Sequence, residues 1–229
     1  MGHNGIDTAV FVQVRLGSTR FPCKALIPLK GGNVIQHVMR SLKPVPASHY
    51  VLLTDNYSAG VLKYLADDEG FDVFKGPEED VLERYYLAWK YYGSRIIIRA
   101  TGDNPLVSAE YIEKIIEVHN AEHADLSHYL GIPLGTGVEI IDANALQNAR
   151  DRAVDPYERE HITTYMYRHR SIFKIIEKKA PEIVNFSKVA VSLDTGRDFN
   201  LLREIYSELY AGTPIQLADL VSWLKARFK

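Results

Sequence analysis

Cysteine is nearly missing from this chain of 229 residues: Cys23 stands alone. An internal disulfide is therefore excluded, and a reducing compartment fits. No apolar run approaches the ~20 residues that a membrane-spanning helix needs. Met1–Asp7 is too short and too polar to read as a secretion signal, so the expected location is the cytoplasm. Neither sign of charge dominates, since 27 Lys and Arg face 29 Asp and Glu for a formal net charge of −2. That balance gives no global pull toward nucleic acid or a membrane surface. His119, His123 and His128 lack metal-ligand spacing. There is no internal repeat, low-complexity tract or linker, and the expectation is one domain over residues 1–229, with a core from about 8 to 210 and a terminal helix over 217–228.

What is present is an ordinary soluble composition, 46% hydrophobic and 24% charged, in a chain long enough to bury a sizeable core without staples. Strand-like and helix-like segments alternate. Thr8–Val14 reads as a buried strand, Val34–Leu42 as a helix and His49–Thr54 as a strand. Ala59–Glu69 reads as a helix, Phe71–Phe74 as a short strand and Asp80–Tyr92 as an aromatic-rich amphipathic helix. Arg95–Ala100 is the clearest buried strand, and Ala109–His119 is helical again. This order predicts a three-layer α/β/α fold with a mainly parallel sheet and right-handed crossovers. Beyond Ala124 the pattern loosens. Strands are expected at Leu126–Tyr129, Val138–Ile141 and Val189–Leu193, with an edge strand at Phe173–Glu177. Helices are expected at Asn144–Asp151, Tyr157–Arg168, Asp198–Leu209 and Leu217–Phe228.

The densest chemistry follows the first strand, in Arg15-Leu16-Gly17-Ser18-Thr19-Arg20-Phe21-Pro22-Cys23-Lys24. A glycine lets the backbone come close to a ligand, free N–H groups in such a turn make an anion cradle, and Arg15, Arg20 and Lys24 add full charges. A solvated basic loop is the ordinary alternative. Its place at the carboxyl end of a strand favours a ligand, because open α/β sheets bind there. Two acids are expected at the same sheet edge: Asp103 in Thr101-Gly102-Asp103-Asn104-Pro105, and Asp194 after Ser192-Leu193. Aspartate also serves turns and helix caps. Two carboxylates facing a phosphate-binding loop are nonetheless what Mg²⁺ requires, with phosphate oxygens and water completing its shell.

The loop resembles the R-x-G-S-T-R-L-P-x-K signature of CTP-dependent sugar nucleotidylyltransferases, which activate 3-deoxy-manno-octulosonate and sialic acids with CMP. It is closer still to the SpsF-like subgroup, named for a spore coat polysaccharide biosynthesis protein. Further resemblance lies in Gly76-Pro77-Glu78-Glu79-Asp80-Val81-Leu82-Glu83-Arg84-Tyr85, Arg99-Ala100-Thr101-Gly102-Asp103-Asn104-Pro105-Leu106, Tyr157-Glu158-Arg159-Glu160-His161-Ile162-Thr163 and Leu193-Asp194. It runs in order from about Val10 to Leu209. Phe21 stands where the family has Leu and Cys23 where it has Gly. The resemblance implies a Rossmann-like nucleotide-diphospho-sugar transferase fold, a homodimer, and CMP transfer to a small anionic acceptor (a sugar acid or a phosphorylated sugar or polyol) for cell-surface polysaccharide. It further implies Arg15, Arg20, Lys24 and Asp103 as catalytic residues, and Val14, Arg15, Leu16, Gly17, Ser18, Thr54, Asp55 and Thr101 around the nucleotide. Arg84, Glu139 and His161 are implied at the acceptor, and Asp103 and Asp194 on Mg²⁺. For Arg84 a surface pairing with Glu83 or Glu79 stays open, as do a structural role for His161 and a solvated strand face for Glu139.

Two other classes compete. Nucleotide-sugar glycosyltransferases share the fold class but place their metal on Asp-x-Asp, which this chain lacks; Asp67-Asp68 sits on an expected helix. A non-catalytic nucleotide-binding regulator needs the phosphate loop but has no use for acids at two separate strand ends.

Overall fold

A computed structural model describes residues 7–18 and 21–228. The chain runs through β1 (Thr8–Gln13), the two-residue strands β2 (Pro28–Leu29) and β3 (Gly32–Asn33), α1 (Val34–Leu42), β4 (His49–Thr54), α2 (Asn56–Asp68), β5 (Asp72–Lys75), α3 (Val81–Tyr92) and β6 (Ile96–Thr101). It continues with α4 (Ala109–Glu122), β7 (Leu126–Leu130), β8 (Glu139–Asp142), α5 (Ala143–Arg152), α6 (Pro156–Glu160), α7 (Thr164–Arg168), β9 (Ile175–Lys179), α8 (Gly196–Leu209) and α9 (Leu217–Arg227). The main sheet has the order β5-β4-β1-β6-β8-β7-β9. Its first four strands run parallel, β8 lies antiparallel to both β6 and β7, and β9 closes the edge parallel to β7.

Why this sheet is covered on both faces is visible in β1. Successive side chains of a strand point to opposite sides, and all of Ala9, Val10, Phe11 and Val12 are apolar and fully buried. Val10 and Val12 meet Val38 of α1, Leu62 of α2 and Ile112 of α4 on one face. Ala9 and Phe11 meet Leu82 and Tyr85 of α3, Leu146 of α5 and Met166 of α7 on the other. The terminal helices α8 and α9 build a third cluster around Leu202, Ile205, Leu220 and Leu224, joined to the body through Leu106 and Tyr111. The register aligns Gln13 of β1 with Leu53 of β4 and Thr101 of β6. The loops that follow these three strands therefore leave the sheet at one level.

Two sequence expectations are corrected. Val189–Leu193 is not a strand. It runs as irregular backbone whose N–H groups bond to two different places, Val191 to the carbonyl of Leu134 (2.7 Å) and Leu193 to that of Asp103 (2.9 Å). Asp194 therefore follows no strand, yet it is carried to the same edge as Asp103. The expected helix over Tyr157–Arg168 is broken into α6 and α7, because His161 leaves helical geometry at φ −110° and ψ 81°. Smaller shifts have local causes, as where α2 starts at Asn56 because the Asp55 carboxylate accepts from the Ser58 N–H at the first turn.

Gly135 holds the irregular stretch in place. Its φ of +99° lies in the region that favours glycine, and a Cβ there would stand 2.7 Å from the Ser192 nitrogen. Since backbone has little room to give, Gly135→Ala should lower unfolding free energy by about 1–3 kcal/mol, read from denaturant midpoints; wild-type stability would show that the 191–194 segment is not held this way.

Two buried histidines set an acid sensitivity. Burial, helped by the charge of Arg40, pushes His37 down from 6.5 to about 4, and its ring packs 4.4 Å from that of Tyr206. Burial likewise brings His119 to about 4, while its Nδ1 faces the Ser127 hydroxyl at 2.9 Å. Between the folded and unfolded values the unfolded chain binds more protons, so stability should rise with pH from about 4 to about 6.5. His119→Gln should flatten that rise in urea titrations run across the window.

Candidate active site

The basic loop is fixed from below. Val14 continues the β1 pairing by donating to the Leu53 carbonyl (3.1 Å), and the Cys23 N–H closes the loop on the Leu16 carbonyl (3.0 Å). The Leu16 N–H is held by the Ser58 hydroxyl at 2.9 Å. Ser58 in turn donates from both its N–H and its hydroxyl to the two Asp55 oxygens, each at 2.7 Å. Burial pushes the Asp55 carboxyl up, but these hydrogen bonds prevail and bring it below its ordinary value. Cys23 takes the left-handed conformation at φ 55°, a region that favours glycine. The chain then enters a 3₁₀ turn over Lys24–Leu26.

This turn aims Lys24 at the sheet edge. Its ammonium stands 2.6 Å from Asp103 Oδ2 and 2.9 Å from Asp194 Oδ1, with the lysine side chain 13% exposed. Asp103 is placed by the tight turn after β6, where the Gly102 N–H bonds to the Gln13 carbonyl at 2.9 Å. A Cβ on Gly102 would fall 2.7 Å from Val14 Cβ, so only glycine lets the turn lie against β1. Around this cluster opens a cleft of about 260 Å³ lined by Val14, Arg15, Ser18, Arg84, Thr101 and His161, together with the three charged residues just named. Arg15 faces Glu160 across it at 3.6 Å, and the His161 ring packs 4.4 Å from Tyr157.

The sequence candidates thus divide. Val14, Arg15, Ser18, Lys24, Thr101, Asp103 and Asp194 gather in the cleft. Asp55 and Leu16 lie beneath it as supports, Thr54 is fully buried with an unpartnered hydroxyl, and Gly17 turns toward Glu78. Arg20 and Thr19 lie outside the described residues. The three acceptor candidates do not form one group. Arg84 and His161 line the cleft around Lys24, whereas Glu139 lines a neighbouring cavity.

Arg84 is not the surface arginine that one reading allowed. It is 2% exposed, and its guanidinium donates to the Pro77 carbonyl at 2.9 Å while its Nε has no partner. Burial, joined by the nearby charge of Arg15, holds it below the ordinary arginine value. Glu83 instead pairs with Arg150 (2.8 Å) and Arg159 (3.1 Å). Glu139 is not on a solvated strand face either. It accepts from Arg99 (2.8 Å), Thr163 (3.1 Å) and Tyr167 (2.8 Å). Arg99, Asn104 and Tyr167 of that cavity went unread in the sequence, although one charge at the end of the run Ile96-Ile97-Ile98-Arg99 was a usable signal.

A cleft lined by cations beside two carboxylates, at the edge of an α/β/α sheet, has the charge pattern suited to phosphates. The chain matches the cytidylyltransferase family over residues 9–221 and belongs to it. It is 28% identical over 227 residues to the spore coat polysaccharide biosynthesis protein SpsF of Bacillus subtilis, covering 95% of this chain and 94% of that one. Identity with a 3-deoxy-manno-octulosonate cytidylyltransferase of Pseudoalteromonas atlantica is 25% over 201 residues, 78% of each chain. The solved structure of a cytidylyltransferase from Leptospira borgpetersenii superposes with a TM-score of 0.88 at 26% identity, over 96% of this chain and 94% of that one.

The donor set fits a hard divalent cation. Two carboxylates already converge on one positive charge, the Lys24 ammonium. Among the described residues no group of three or more potential ligands exists, so substrate oxygens and water would complete the shell. Removing the ammonium by Lys24→Met takes away the cation that the two carboxylates share, and Mn²⁺ binding without nucleotide, followed by electron paramagnetic resonance, should tighten by about tenfold. Unchanged binding would take Asp103 and Asp194 out of the metal role.

Proposed function

We propose that this cytidylyltransferase moves CMP from CTP to a small acceptor and releases pyrophosphate, with Mg²⁺ between Asp103 and Asp194. One observation carries the reading: a phosphate-loop lysine and two carboxylates far apart in sequence meet at one point, Lys24 Nζ lying 2.6 and 2.9 Å from Asp103 and Asp194. An acceptor oxygen attacks the α-phosphorus, and the bond from that phosphorus to the β-phosphate bridging oxygen breaks. Such transfers depend on positioning and charge neutralisation rather than on covalent help from the protein. Arg15 and Lys24 supply positive charge for the β- and γ-phosphates, and Arg20 joins them on the strength of its place in the loop motif. Ser18 adds a hydroxyl donor. Arg84, whose described hydrogen bonds go to the backbone carbonyls of Pro77 and Glu78, offers the nucleotide a buried positive charge. When bound, the divalent ion would supply charge neutralisation at the phosphates.

The 28% identity with SpsF and the 25% identity with the 3-deoxy-manno-octulosonate enzyme support CTP as donor and a sugar-type acceptor. Pyrophosphate release with each nucleoside triphosphate, Mg²⁺ and a panel of acceptors tests the reading, and CTP should be preferred. CTP binding without turnover on any acceptor would favour a nucleotide-binding regulator instead. In Asp103→Asn the amide keeps the size of the side chain and loses its charge. That variant should keep the wild-type melting temperature and lose about 10²–10³-fold in kcat; full activity would remove Asp103 from the site.

A further inference from the structure

Beside the nucleotide cleft lies a second cavity of about 260 Å³, and Thr101 lines both. We propose that this cavity holds the uncharged, polyhydroxylated body of the acceptor, and that the acceptor is a phosphate monoester of a sugar or polyol whose phosphate turns into the first cleft. The inference rests on the nucleotidyl-transfer reading above and narrows its acceptor.

Charge carries the first part. The Arg99 guanidinium in the cavity wall is neutralised by Glu139 at 2.8 Å and also bonds to Gln13 at 3.3 Å. These two charges cancel, and the other titratable group of the wall, His128, has its Nδ1 3.2 Å from the Tyr129 carbonyl and its Nε2 3.6 Å from Glu177. A carboxylate entering here would lose its hydration and meet Glu139 before any free cation, an unfavourable exchange. An ammonium fares no better, because the face of Tyr167 already carries Arg170 at 5.4 Å. Hydrogen bonding carries the second part. Asn104 lines the cavity, and its buried Oδ1 has no partner. A buried, unsatisfied amide costs free energy, and a hydroxyl satisfies it whichever way the amide is turned, being both donor and acceptor. Opposite lie Ile132, Pro133, Leu134 and Val138, an apolar wall suited to the C–H face of a carbohydrate.

The remaining cations lie in the first cleft, where Arg15, Lys24 and Arg84 face the space next to Thr101. A phosphate monoester is largely ionised near neutral pH, so its oxygen is already a nucleophile. The oxygen–α-phosphorus bond forms and the α–β bridging bond breaks. Pyrophosphate leaves with the electron pair, no proton moves, and the product is a cytidine diphosphate ester.

The test incubates the whole chain with CTP and Mg²⁺ and identifies products by mass spectrometry. One arm offers sugar and polyol phosphates; the other offers 3-deoxy-manno-octulosonate and sialic acid. Phosphate esters should be used with kcat/KM at least 100-fold above the acids. Preference for the acids, or no turnover of any phosphate ester, overturns the proposal. Calorimetric CTP binding separates the two levels: retained binding leaves the nucleotide reading standing, and its loss removes both. A charge change supplies an independent readout. Glu139→Gln leaves Arg99 uncompensated, so a sugar acid should bind the variant in the presence of a non-hydrolysable CTP analogue at least tenfold more tightly than wild type. Equal binding would overturn the charge argument, with thermal melting confirming that the variant folds.

Discussion

The position of one ammonium group organises this molecule. Lys24 reaches Asp103, 79 residues on, and Asp194, 170 residues on. For those three side chains to meet, β1, β4 and β6 must end level, the turn after β6 must pass flat against Val14, and a segment from the far end of the chain must be fastened to the same turn. The Leu193 N–H does the last by bonding to the carbonyl of Asp103 itself at 2.9 Å. The two carboxylates are therefore mechanically linked through adjacent backbone. That linkage brings together like charges that would otherwise repel, and Lys24 makes the arrangement tolerable before any substrate arrives.

The turn Thr101–Pro105 also divides the working space. Asp103 faces the cleft with the basic loop, while Asn104 lines the neighbouring cavity, so adjacent residues of one tight turn serve different compartments. In the wall of the second cavity, the carboxylate of Glu139 in β8 gathers Arg99 of β6 with Thr163 and Tyr167 of the α6–α7 region. This network spans the interruption between α6 and α7. Thr163 donates to Glu139 from the non-helical stretch between them.

The parallel half of the fold was legible because burial on both faces imposes near-continuous apolar strands, and the helices between them keep a 3.6-residue stripe. Lys24 and Asp103 stood out in the sequence as charges in loops after buried strands, whereas Asp194 reaches the same edge although no strand precedes it. Val189–Leu193 misled for a physical reason. Its Val-Ala-Val alternation has the composition of a strand, but its hydrogen bonds go to Leu134 and Asp103 in different loops, a tertiary choice that local propensity does not encode. Asp55 misled differently. Its place after β4 matched a ligand position, while its carboxylate is occupied in holding Ser58, and through Ser58 the loop.

Two arginines, Arg84 buried and Arg99 partly buried, show how the same residue type is put to opposite uses. Arg99 meets a carboxylate inside the protein, so its charge is spent on fixing Glu139, Thr163 and Tyr167 in one frame. Arg84 bonds to backbone carbonyls and keeps an unpartnered Nε, though it is the more deeply buried of the two. Retaining a buried cation whose described hydrogen bonds reach only backbone carbonyls is unfavourable in the free protein. The cost is offset when an anion enters the cleft it lines, and no comparable gain awaits an anion beside Arg99. The asymmetry directs negative charge to one side of Thr101 and uncharged bulk to the other. On the proposed reading, the orientation of the two substrates follows from which arginine is already ion-paired with a carboxylate among the described residues, Arg99 and not Arg84.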